Sequence, residues 1–539
     1  MSNKRAFPFL VSPYSLTQRL VLAGLTACWF GALVSFYAWW FDPAHVVTEG
    51  GFWAITLVFF WDTLTSAYFL FFISRARIPD TRQAPADGWR VAMVVTKAPG
   101  EPFAMVQETL RGMLAQDYRH DTWLADERPD AVTIRWCAFN GVKISSRDAV
   151  AEYHRPDWPR RTGCKEGNLA YFYDHFGYDT YDFVVQLDAD HVPQPGYLEA
   201  MLRPFLDARV GYVSAPSICD RNAGHSWPAR ARLYAEAHLH GLQQAGHANG
   251  FVPLCFGSHY AIRTAALKAV GGLGPELAED HSTTLMLNAA GWRGVHAFSA
   301  TAHGHGPRCF RDFAVQEFQW ARSLMNILLG HLPRHWRGLS PSHRLQFAYT
   351  ELWYLLSSVS MLVVLLLPAI ALFSSTPLVT VSFAQFLWRL GLIILPLLLL
   401  YRYLCRQGFA RPPSARCLGW EALLYLILRW PWSLLGSVAG IGDRLFRRRW
   451  VFEVTPKPGT PSAAGSPARL AMPYLACSLF AILPVFLLHP ADDMVGYVFF
   501  SALNAIIYAL TFSVVAFLPP AARAPAASIN DAASCPTDE

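Results

Sequence analysis

The sequence lacks the cysteine patterns that hold small secreted domains or local metal sites together. Its 10 cysteines include no CxxC pair and no Cys/His set with ligand spacing, which argues against a disulfide framework. We also expect no cleavable signal peptide, because the first apolar segment is too long and no small-residue cleavage site follows it. Charge is scarce, with 16% charged residues and a formal net charge of +6. This modest excess predicts no nucleic-acid partner.

Apolar residues are abundant instead. The chain of 539 residues is 53% hydrophobic and its mean hydropathy is +0.22, which is too apolar for an ordinary soluble enzyme and too polar for a chain that lies wholly in a membrane. Several segments are long enough to cross a bilayer as helices. They are 20–41, 52–73, 347–373, 379–401, 470–488 and 494–518. We therefore expect about six membrane spans around a soluble domain.

Arginines predict how these spans are oriented. Four of them follow the second span and four follow the fourth, at 75, 77, 82, 90, 402, 406, 411 and 416. The short loops 42–51, 374–378 and 489–493 contain neither Lys nor Arg. By the positive-inside rule, both termini and the large region between the second and third spans are cytosolic.

Residues 418–446 leave two interpretations open. They are apolar enough for a seventh span, but a crossing would put Arg444 and the arginines at 447–449 outside and invert the last hairpin. Glu421 and Arg429 are also costly in lipid. We favour an amphipathic helix that lies in the cytosolic interface, and the span stays open as the alternative.

The soluble region alternates strand-like and helix-like patterns. VAMVVT, TWLAD, VKISSR and FVVQLDAD are typical of strands, and EPFAMVQETLRGMLAQD at 101–117 is typical of a helix. Apolar strands that alternate with helices predict a sheet covered on both faces. Ligands of such sheets bind beyond the carboxyl ends of the strands. Asp126, Asp188 and Asp190 fall at those ends.

The paired aspartates of LDADHVP, residues 187–193, predict a metal site. Asp188 and Asp190 project to the same side of an extended segment, and two such carboxylates repel each other unless a cation lies near them. Hard oxygen ligands favour Mg²⁺ or Mn²⁺, and His191 could add a ligand or a hydrogen bond. A solvated acidic turn is the structural alternative. The histidines of HGHGP, residues 303–307, also suggest a metal pair, but we expect a plain loop there.

One further motif lies before LDADHVP in the sequence, and three lie after it. They are KEGN at 165–168, FGSHYAIR at 256–263, Glu279-Asp280 and QEFQW at 316–320. Together with Asp126, this order resembles membrane-embedded, processive family 2 glycosyltransferases, which include cellulose, hyaluronan and chitin synthases. LDADHVP resembles the cellulose synthase form of the metal motif. RRWVFEVTPKPG resembles the F-x-V-T-x-K gating loop of bacterial cellulose synthase, with Phe452, Val454, Thr455 and Lys457 in matching places.

The resemblance covers roughly residues 90–520 and implies a fold. It implies a cytosolic α/β domain of the GT-A type inserted into an α-helical transmembrane domain of about six spans plus interfacial helices, in a bacterial inner (plasma) membrane. The expected division places membrane hairpins at 1–74, 346–405 and 469–519, the glycosyltransferase domain at 75–310, interfacial helices with QxxQW at 311–345, the interfacial helix and gating-like segment at 406–468, and a disordered tail at 520–539.

The resemblance also implies roles for single residues. The metal would be held by Asp190 and Asp188, with His191 as a further candidate, and Asp280 beside Glu279 would act as the general base. Candidate donor-binding residues are Asp126, Lys165, Arg147 and Arg322. Candidate acceptor-binding residues are Trp320, Gln316 and Gln319. The family's QxxRW has an arginine where this chain has Gln319, and its TED motif begins here with Ala278; these departures leave the donor and its diphosphate contacts open.

The implied function is an inverting, metal-dependent glycosyltransferase. It would polymerise sugar from a nucleotide-sugar donor, UDP-glucose by the motif match, into a cellulose-like β-glucan and pass it across the membrane. Expected partners are the donor, the growing polysaccharide, membrane lipid and a periplasmic or regulatory protein. Two alternatives stay open: another donor such as UDP-N-acetylglucosamine or a single transfer to a lipid acceptor, and an inactive transport or assembly subunit.

Overall fold

The computed structural model describes residue 7 and residues 9–276, 278–446, 467–488 and 492–519. Its α-helices of six or more residues within these ranges are α1 (Leu16–Trp40), α2 (Glu49–Ser74), α3 (Phe103–Leu114), α4 (Ala131–Phe139), α5 (Lys165–Phe172), α6 (Tyr197–Leu202), α7 (Trp227–Ala235), α8 (Thr264–Ala269), α9 (Glu279–Ala289), α10 (Phe310–Asn326), α11 (Pro341–Ser374), α12 (Phe383–Arg406), α13 (Trp420–Phe446), α14 (Pro467–Leu487) and α15 (Val495–Phe517). Strands occur mainly between α2 and α10.

One mixed sheet organises this middle region. Within the described residues its seven strands are β1 (Val91–Lys97), β2 (Asp121–Asp126), β3 (Lys143–Ser145), β4 (Phe183–Leu187), β5 (Val210–Ser214), β6 (His259–Arg263) and β7 (Arg293–His296). Their order is β3-β2-β1-β4-β6-β5-β7. Strand β1 is parallel to β2 and β4, whereas β6 is antiparallel to β4 and β5. Two-residue strands form smaller sheets at Leu10–Val11 with Ile78–Pro79, and at Val192–Pro193, Ala302–His303 and Ser217–Ile218.

The sheet is covered on both faces because its central strands alternate between two apolar cores. In β1, Met93 and Val95 pack into a cluster with α3 and α6, which contribute Val106 and Leu198. Val94 points to the opposite face, where the second cluster includes residues of α5, α8 and α9. This alternation is the two-residue period of a strand. The predicted α/β sheet with helices on both sides is therefore confirmed.

Apolar helices flank this domain on both sides in the sequence. In the described part of the chain, seven helices are long and apolar enough to cross a membrane by length and composition: α1, α2, α11, α12, α13, α14 and α15. Six of them coincide with the predicted spans. The fourth begins at Phe383 rather than at residue 379, because Ser382 caps it by accepting a hydrogen bond from Gln385, while Val379 forms a bridge with Val46. The predicted insertion of an α/β domain among apolar helices is thus confirmed.

Helix α13, the seventh of these, packs closely on α10. A Cβ atom on Gly436 would collide with the carbonyl oxygen of Phe318, and one on Gly440 would come within 2.7 Å of the carbonyl oxygen of Arg322. Charged residues of α13 also pair with helices of the middle region: Glu421 with Arg230, Arg429 with Glu317 and Asp443 with Arg322. These contacts agree with a helix that lies against the soluble domain, and its interfacial position stays a prediction.

Candidate active site

The carboxyl ends of the parallel strands β2, β1 and β4 form the edge where the predicted acids lie. Asp126 is the last residue of β2, and its buried Oδ2 is 3.1 Å from Nζ of Lys97, the last residue of β1. Asp188 comes directly after β4, and its backbone N–H donates to the carbonyl oxygen of Ser258, 2.8 Å away. Asp126 and Asp188 therefore share one edge of the sheet, with β1 between them.

Lys165, the first residue of α5, connects the aspartates after β4 to the acids that begin α9. Its Nζ is 2.6 Å from Asp188 Oδ1, 2.5 Å from the carbonyl oxygen of Gly257 and 3.9 Å from Glu279 Oε1. Gly257 also adjoins Asp280, since a Cβ atom on this glycine would be 3.5 Å from Asp280 Oδ2. The structure thus brings acids from two distant motifs around one ammonium group.

Burial controls the ionisation of this cluster. It raises the pKa of Glu279 to about 8, an effect that Lys165 opposes and that Asp280 and Asp188 reinforce. Burial also raises the pKa of Asp280 against the opposing influence of His281 and Lys165. For Lys165, burial alone would lower the pKa, but the fields of Asp188, Glu279 and Asp280 raise it. Glu279 therefore holds a proton more readily than an exposed glutamate, and Asp280 is a stronger base than an exposed aspartate.

Asp190 is fully buried and is held by two histidines. The backbone N–H of His305 donates to Asp190 Oδ2 at 3.1 Å, and His305 Nδ1 is 3.5 Å from the same oxygen. Nδ1 of His191 is 3.3 Å from Asp190 Oδ1, and its Nε2 is 3.8 Å from Sγ of Cys219. A Cβ atom on Gly304 would collide with the His191 ring. The sequence offers His191 as a metal ligand or a hydrogen-bonding residue; its two ring nitrogens lie beside Asp190 and Cys219, and its role as a ligand stays a prediction.

The residues at this edge fit a hard divalent cation. Asp188 and Asp190 offer carboxylate oxygens, and the buried Nδ1 of His305 has no hydrogen-bond partner among the described residues. These two carboxylates belong to no set of three ligand atoms within 4.8 Å of one another in the described chain. Mg²⁺ typically takes only one or two carboxylates and completes its shell with water and substrate phosphates. Mg²⁺ or Mn²⁺ with such a shell is therefore compatible with this pair.

Helix α10, which carries the QxxQW motif, touches the acidic motif at the start of α9. Ser323 Oγ accepts a hydrogen bond from the backbone N–H of Ala278, 3.1 Å away. On the same helix the half-buried ring of Trp320 stacks against Arg232, whose guanidinium carbon is 4.4 Å from the ring centroid. Arg232 also donates to the side chain of Gln316. Two predicted acceptor residues therefore lie on a helix tied to Glu279 and Asp280.

Other predicted residues are not brought to this cluster. Arg147 is fully buried, where it pairs with Glu127 and donates to two backbone carbonyl oxygens at 2.7 Å. Arg322 forms a bidentate ion pair with Asp443 at 2.5 and 2.7 Å. Gln319 is buried within α10. Both arginines therefore serve internal ion pairs, and their contact with the donor stays a prediction. The predicted gating residues lie outside the described residues: Phe452, Val454, Thr455 and Lys457.

The HGHGP segment supplies a residue that the sequence does not reveal. His305, expected in a plain loop, donates its backbone N–H to Asp190 across 115 residues of sequence. His303 instead pairs with Asp220, with Nδ1 2.8 Å from Oδ1. The spacing of the two histidines suggests a joint role, but the structure gives them different partners. No local pattern predicts this contact, because it depends on the pairing of Ala302–His303 with Val192–Pro193.

Comparisons with known proteins show which proteins this chain resembles. A family model described as glycosyl transferase family group 2 matches residues 183–405. The UDP-forming cellulose synthase 1 catalytic subunit of Komagataeibacter xylinus is 24% identical over 284 residues, 50% of this chain and 35% of that protein. This chain resembles the family 2 glycosyltransferases of the cellulose synthase type. The UDP-forming cellulose synthase catalytic subunit of Xanthomonas axonopodis pv. citri is 29% identical over 173 residues, 30% of this chain and 23% of that protein.

The cellulose synthase-like chain spans well under half of the length of either of these curated relatives. Among solved structures, it is similar to a mannosyltransferase from Pyrobaculum calidifontis in complex with GDP-Man and Mn²⁺. That similarity has 15% sequence identity and a TM-score of 0.44, and it covers 79% of this chain and 99% of the other. The region matched by the family model begins with β4 and ends in α12. It therefore includes the paired aspartates, the acids of α9 and the QxxQW helix.

Proposed function

We propose that this chain is a membrane-embedded glycosyltransferase that extends a β-linked polysaccharide with sugar from a nucleotide donor. The observation that carries the proposal is the position of Lys165, which lies 2.6 Å from Asp188 and 3.9 Å from Glu279. It joins the motif proposed to hold the donor diphosphate to the motif proposed to activate the acceptor. A sugar transferase needs those two functions within one pocket, because the acceptor attacks the carbon that the diphosphate leaves.

Asp280 is the proposed general base. Its Oδ1 already accepts a hydrogen bond from the backbone N–H of His281, 2.8 Å away, while Oδ2 lies on the side of Gly257. A hydrogen bond from the backbone of Gly257 also orients this carboxylate, which would accept the proton of an acceptor hydroxyl. A carboxylate with a raised pKa accepts a proton more readily near neutral pH. Direct attack by that hydroxyl would invert the anomeric centre in a single step.

Asp190 and Asp188 are the proposed ligands of a divalent cation, Mg²⁺ or Mn²⁺. When bound, the cation would neutralise negative charge on the departing nucleoside diphosphate. Lys165 would add a second positive charge close to Asp188, and Asp126 would contact the nucleoside from the neighbouring strand β2. His305 and His191 would hold Asp190 in place, because both contact its carboxylate.

UDP-glucose is the proposed donor and a cellulose-like β-glucan the proposed product. Two observations support this choice: the LDADHVP form of the metal motif and the similarity to subunits named as UDP-forming cellulose synthases. Trp320 would stack on the acceptor sugar, since its ring is half-buried on the helix that contacts Ala278, the residue before Glu279 and Asp280. The chain would lie in a bacterial inner membrane and pass its product between the apolar helices.

Helix α13 is proposed to lie in the cytosolic interface rather than to span the membrane. Its acidic and basic residues Glu421, Arg429 and Asp443 are all buried against partners on α7 and α10. A spanning position would bring these ion pairs and the two helices that carry them into lipid, which is costly. An interfacial α13 keeps α7 and α10 on the side of the soluble domain.

A donor screen on the detergent-purified chain tests this proposal. UDP-glucose with Mg²⁺ or Mn²⁺ should give UDP release and a product that cellulase digests, and EDTA should abolish both. Asp280→Asn should lower turnover by about 10²–10⁴-fold. Asp179→Asn is the matched control, because the Asp179 side chain is 87% exposed and belongs to no predicted site.

The alternatives give different results in the same screen. Turnover with UDP-N-acetylglucosamine but not with UDP-glucose would show that the proposed donor is wrong and would leave the proposed mechanism unchanged. Transfer of one sugar to an added lipid, without polymer, would replace polymerisation. The absence of turnover with every donor, with a folded protein, would overturn the proposal in favour of an inactive transport or assembly subunit.

A further inference from the structure

Three metal-ligating side chains meet where the soluble domain touches the end of α12. His238 follows α7, Cys405 is the second-last residue of α12, and Cys417 lies in the connection between α12 and α13. Nε2 or Nδ1 of the histidine and the two Sγ atoms all lie within 4.8 Å of one another. In the described part of the chain, no other group of three His, Cys, Asp or Glu residues meets that distance. This cluster is separate from the proposed transfer site.

The distances agree with a tetrahedral zinc site. With Zn–N near 2.0 Å and Zn–S near 2.3 Å, a tetrahedron separates a nitrogen and a sulfur ligand by about 3.6 Å and two sulfurs by about 3.8 Å. Nε2 of His238 is 3.2 Å from Sγ of Cys405. This nitrogen–sulfur distance is within a few tenths of an ångström of the tetrahedral value, and the other two ligand separations are below 4.8 Å.

The cluster is packed against its surroundings, with Cys405 half-buried and the other two ligands buried. His238 is 1% exposed and Cys417 is 6% exposed. The His238 ring packs edge-on against Tyr401, with the centroids 4.2 Å apart, which fixes the plane of the imidazole. The backbone N–H of Arg411 donates to the carbonyl oxygen of Ala237 at 2.9 Å. The segments that carry the three ligands are thus held together before any ion binds.

We propose that His238, Cys405 and Cys417 bind a Zn²⁺ ion, with water or a backbone oxygen as the fourth ligand. Two thiolates and an imidazole are the donors that zinc prefers over Mg²⁺ or Mn²⁺. A disulfide between the cysteines is the rival chemistry, but it would give the imidazole no role although Nε2 is only 3.2 Å from Cys405. The arginines around this end of α12 also place it on the side proposed as cytosolic, where thiols stay reduced.

The ion would join three parts of the molecule. It would link the end of α12 to the segment after α7, and both to the connection that leads into α13. Apolar contacts already hold this junction, with Ala237, Ala410 and Ala415 in one cluster with Cys417. Zinc would therefore stabilise the position of the soluble domain relative to α12, independently of whether the transfer reaction is as proposed.

Metal analysis of the full chain tests the site. The chain is purified in detergent under reducing conditions with Zn²⁺ present, desalted and analysed by mass spectrometry of its metal content. We expect about one Zn²⁺ per wild-type chain. The zinc content of the double variant Cys405→Ser and Cys417→Ser should be lower by about 10-fold or more. His238→Asn should also retain less zinc than the wild type. Cys28→Ser is the matched control, since Cys28 is exposed on α1, and should retain the ion.

A second measurement decides the question if the variants fail to fold. Co²⁺ added to the zinc-depleted wild-type chain should give a thiolate-to-cobalt charge-transfer band together with visible d–d bands. Absence of bound zinc, combined with two freely alkylated thiols at positions 405 and 417, would overturn the proposal. A peptide linking Cys405 to Cys417 through a disulfide in protein purified without reductant, with no zinc bound under either condition, would overturn it as well.

Discussion

Two regions of the molecule bury charged side chains, and they balance the charge differently. Where α13 packs on α10, the buried Glu317 lies 2.9 Å from Arg232 and 2.7 Å from Arg429, so the carboxylate is fully compensated. At the edge of the sheet, by contrast, the single ammonium group of Lys165 faces an excess of carboxylates. These are Asp188, Glu279 and Asp280.

This contrast distinguishes a region that stabilises the fold from a region that is suited to bind a substrate. A buried carboxylate with its own guanidinium partners needs nothing from outside, and its loss leaves uncompensated charges behind. A cluster in which carboxylates outnumber cations must take up a proton or an external cation. The interface of α10 and α13 therefore holds helices together, whereas the edge of the sheet is prepared for a substrate that arrives together with a cation. Each of the following changes tests one side of this comparison.

Removal of the balanced carboxylate should have the largest effect on stability. Glu317→Gln leaves the buried guanidinium groups of Arg232 and Arg429 without their anion, which should cost about 3–5 kcal/mol. Thermal unfolding of the detergent-solubilised chain would show this as a clearly lower melting temperature. Glu152→Gln is the control, because the Glu152 side chain is 68% exposed beside Arg160. Equal melting temperatures for the two variants would contradict the assignment of a structural role to Glu317.

Removal of an unbalanced carboxylate should have the opposite sign. The pKa of Glu279 is about 8 in the folded chain, whereas the ordinary pKa of a glutamate side chain is 4.5, so the folded state holds a proton that the unfolded state has released. The contribution of Glu279 to the free energy of unfolding should be largest below pH 4.5 and should fall by up to about 1.4 kcal/mol for each pH unit as the pH rises toward the folded-state pKa.

The variant Glu279→Gln isolates this effect. Its neutral side chain imitates the protonated glutamate, so the variant should match the wild type at low pH and exceed its stability above pH 8. Unfolding is measured in EDTA without donor at several pH values. A variant that loses as much stability with rising pH as the wild type would show that Glu279 ionises normally in the folded chain.

The sequence predicts one of these two regions much better than the other. Asp188 and Asp280 lie in short motifs at the ends of regular elements, and their types and order suffice to place both at one pocket. The pairing of Arg322 with Asp443 spans 121 residues. A helix-face pattern gives no indication of such a partner, and so Arg322 is expected at the donor although it binds α13. The contact of His305 with Asp190 escapes prediction for the same reason.

The cluster at His238 shows a further limit of the sequence. Its three ligands come from separate segments, and even the two that are closest in sequence, Cys405 and Cys417, lie 12 residues apart. No ligand spacing of a local metal motif connects them. Only the packing of α12 against the segment after α7 brings the imidazole to the thiols, and such packing follows from shape complementarity rather than from a motif.

Removal of the central cation should change the pH dependence of activity. Lys165 lowers the pKa of both Glu279 and Asp280, so Lys165→Met should raise the pKa of both carboxyl groups. The general base acts when deprotonated; its activity is present above its pKa and is lost as the pH falls through it. The acidic limb of the pH–rate profile should therefore move to higher pH, with lower activity than the wild type at each pH on that limb. An unmoved limb would contradict the coupling, and Lys143→Met serves as an exposed control.

The smallest effect is expected where charges pair in water. Lys268 and Asp179 lie 3.1 Å apart, with side chains 61% and 87% exposed, which is a separation close to those in the buried pairs. Lys268→Ala should nevertheless change the free energy of unfolding by less than about 1 kcal/mol, because solvent screens an exposed ion pair. The same melting experiment measures it beside Glu317→Gln. A loss as large as that of Glu317→Gln would mean that distance alone, rather than burial, sets the strength of these ion pairs. Burial would then no longer explain the larger effect expected at Glu317.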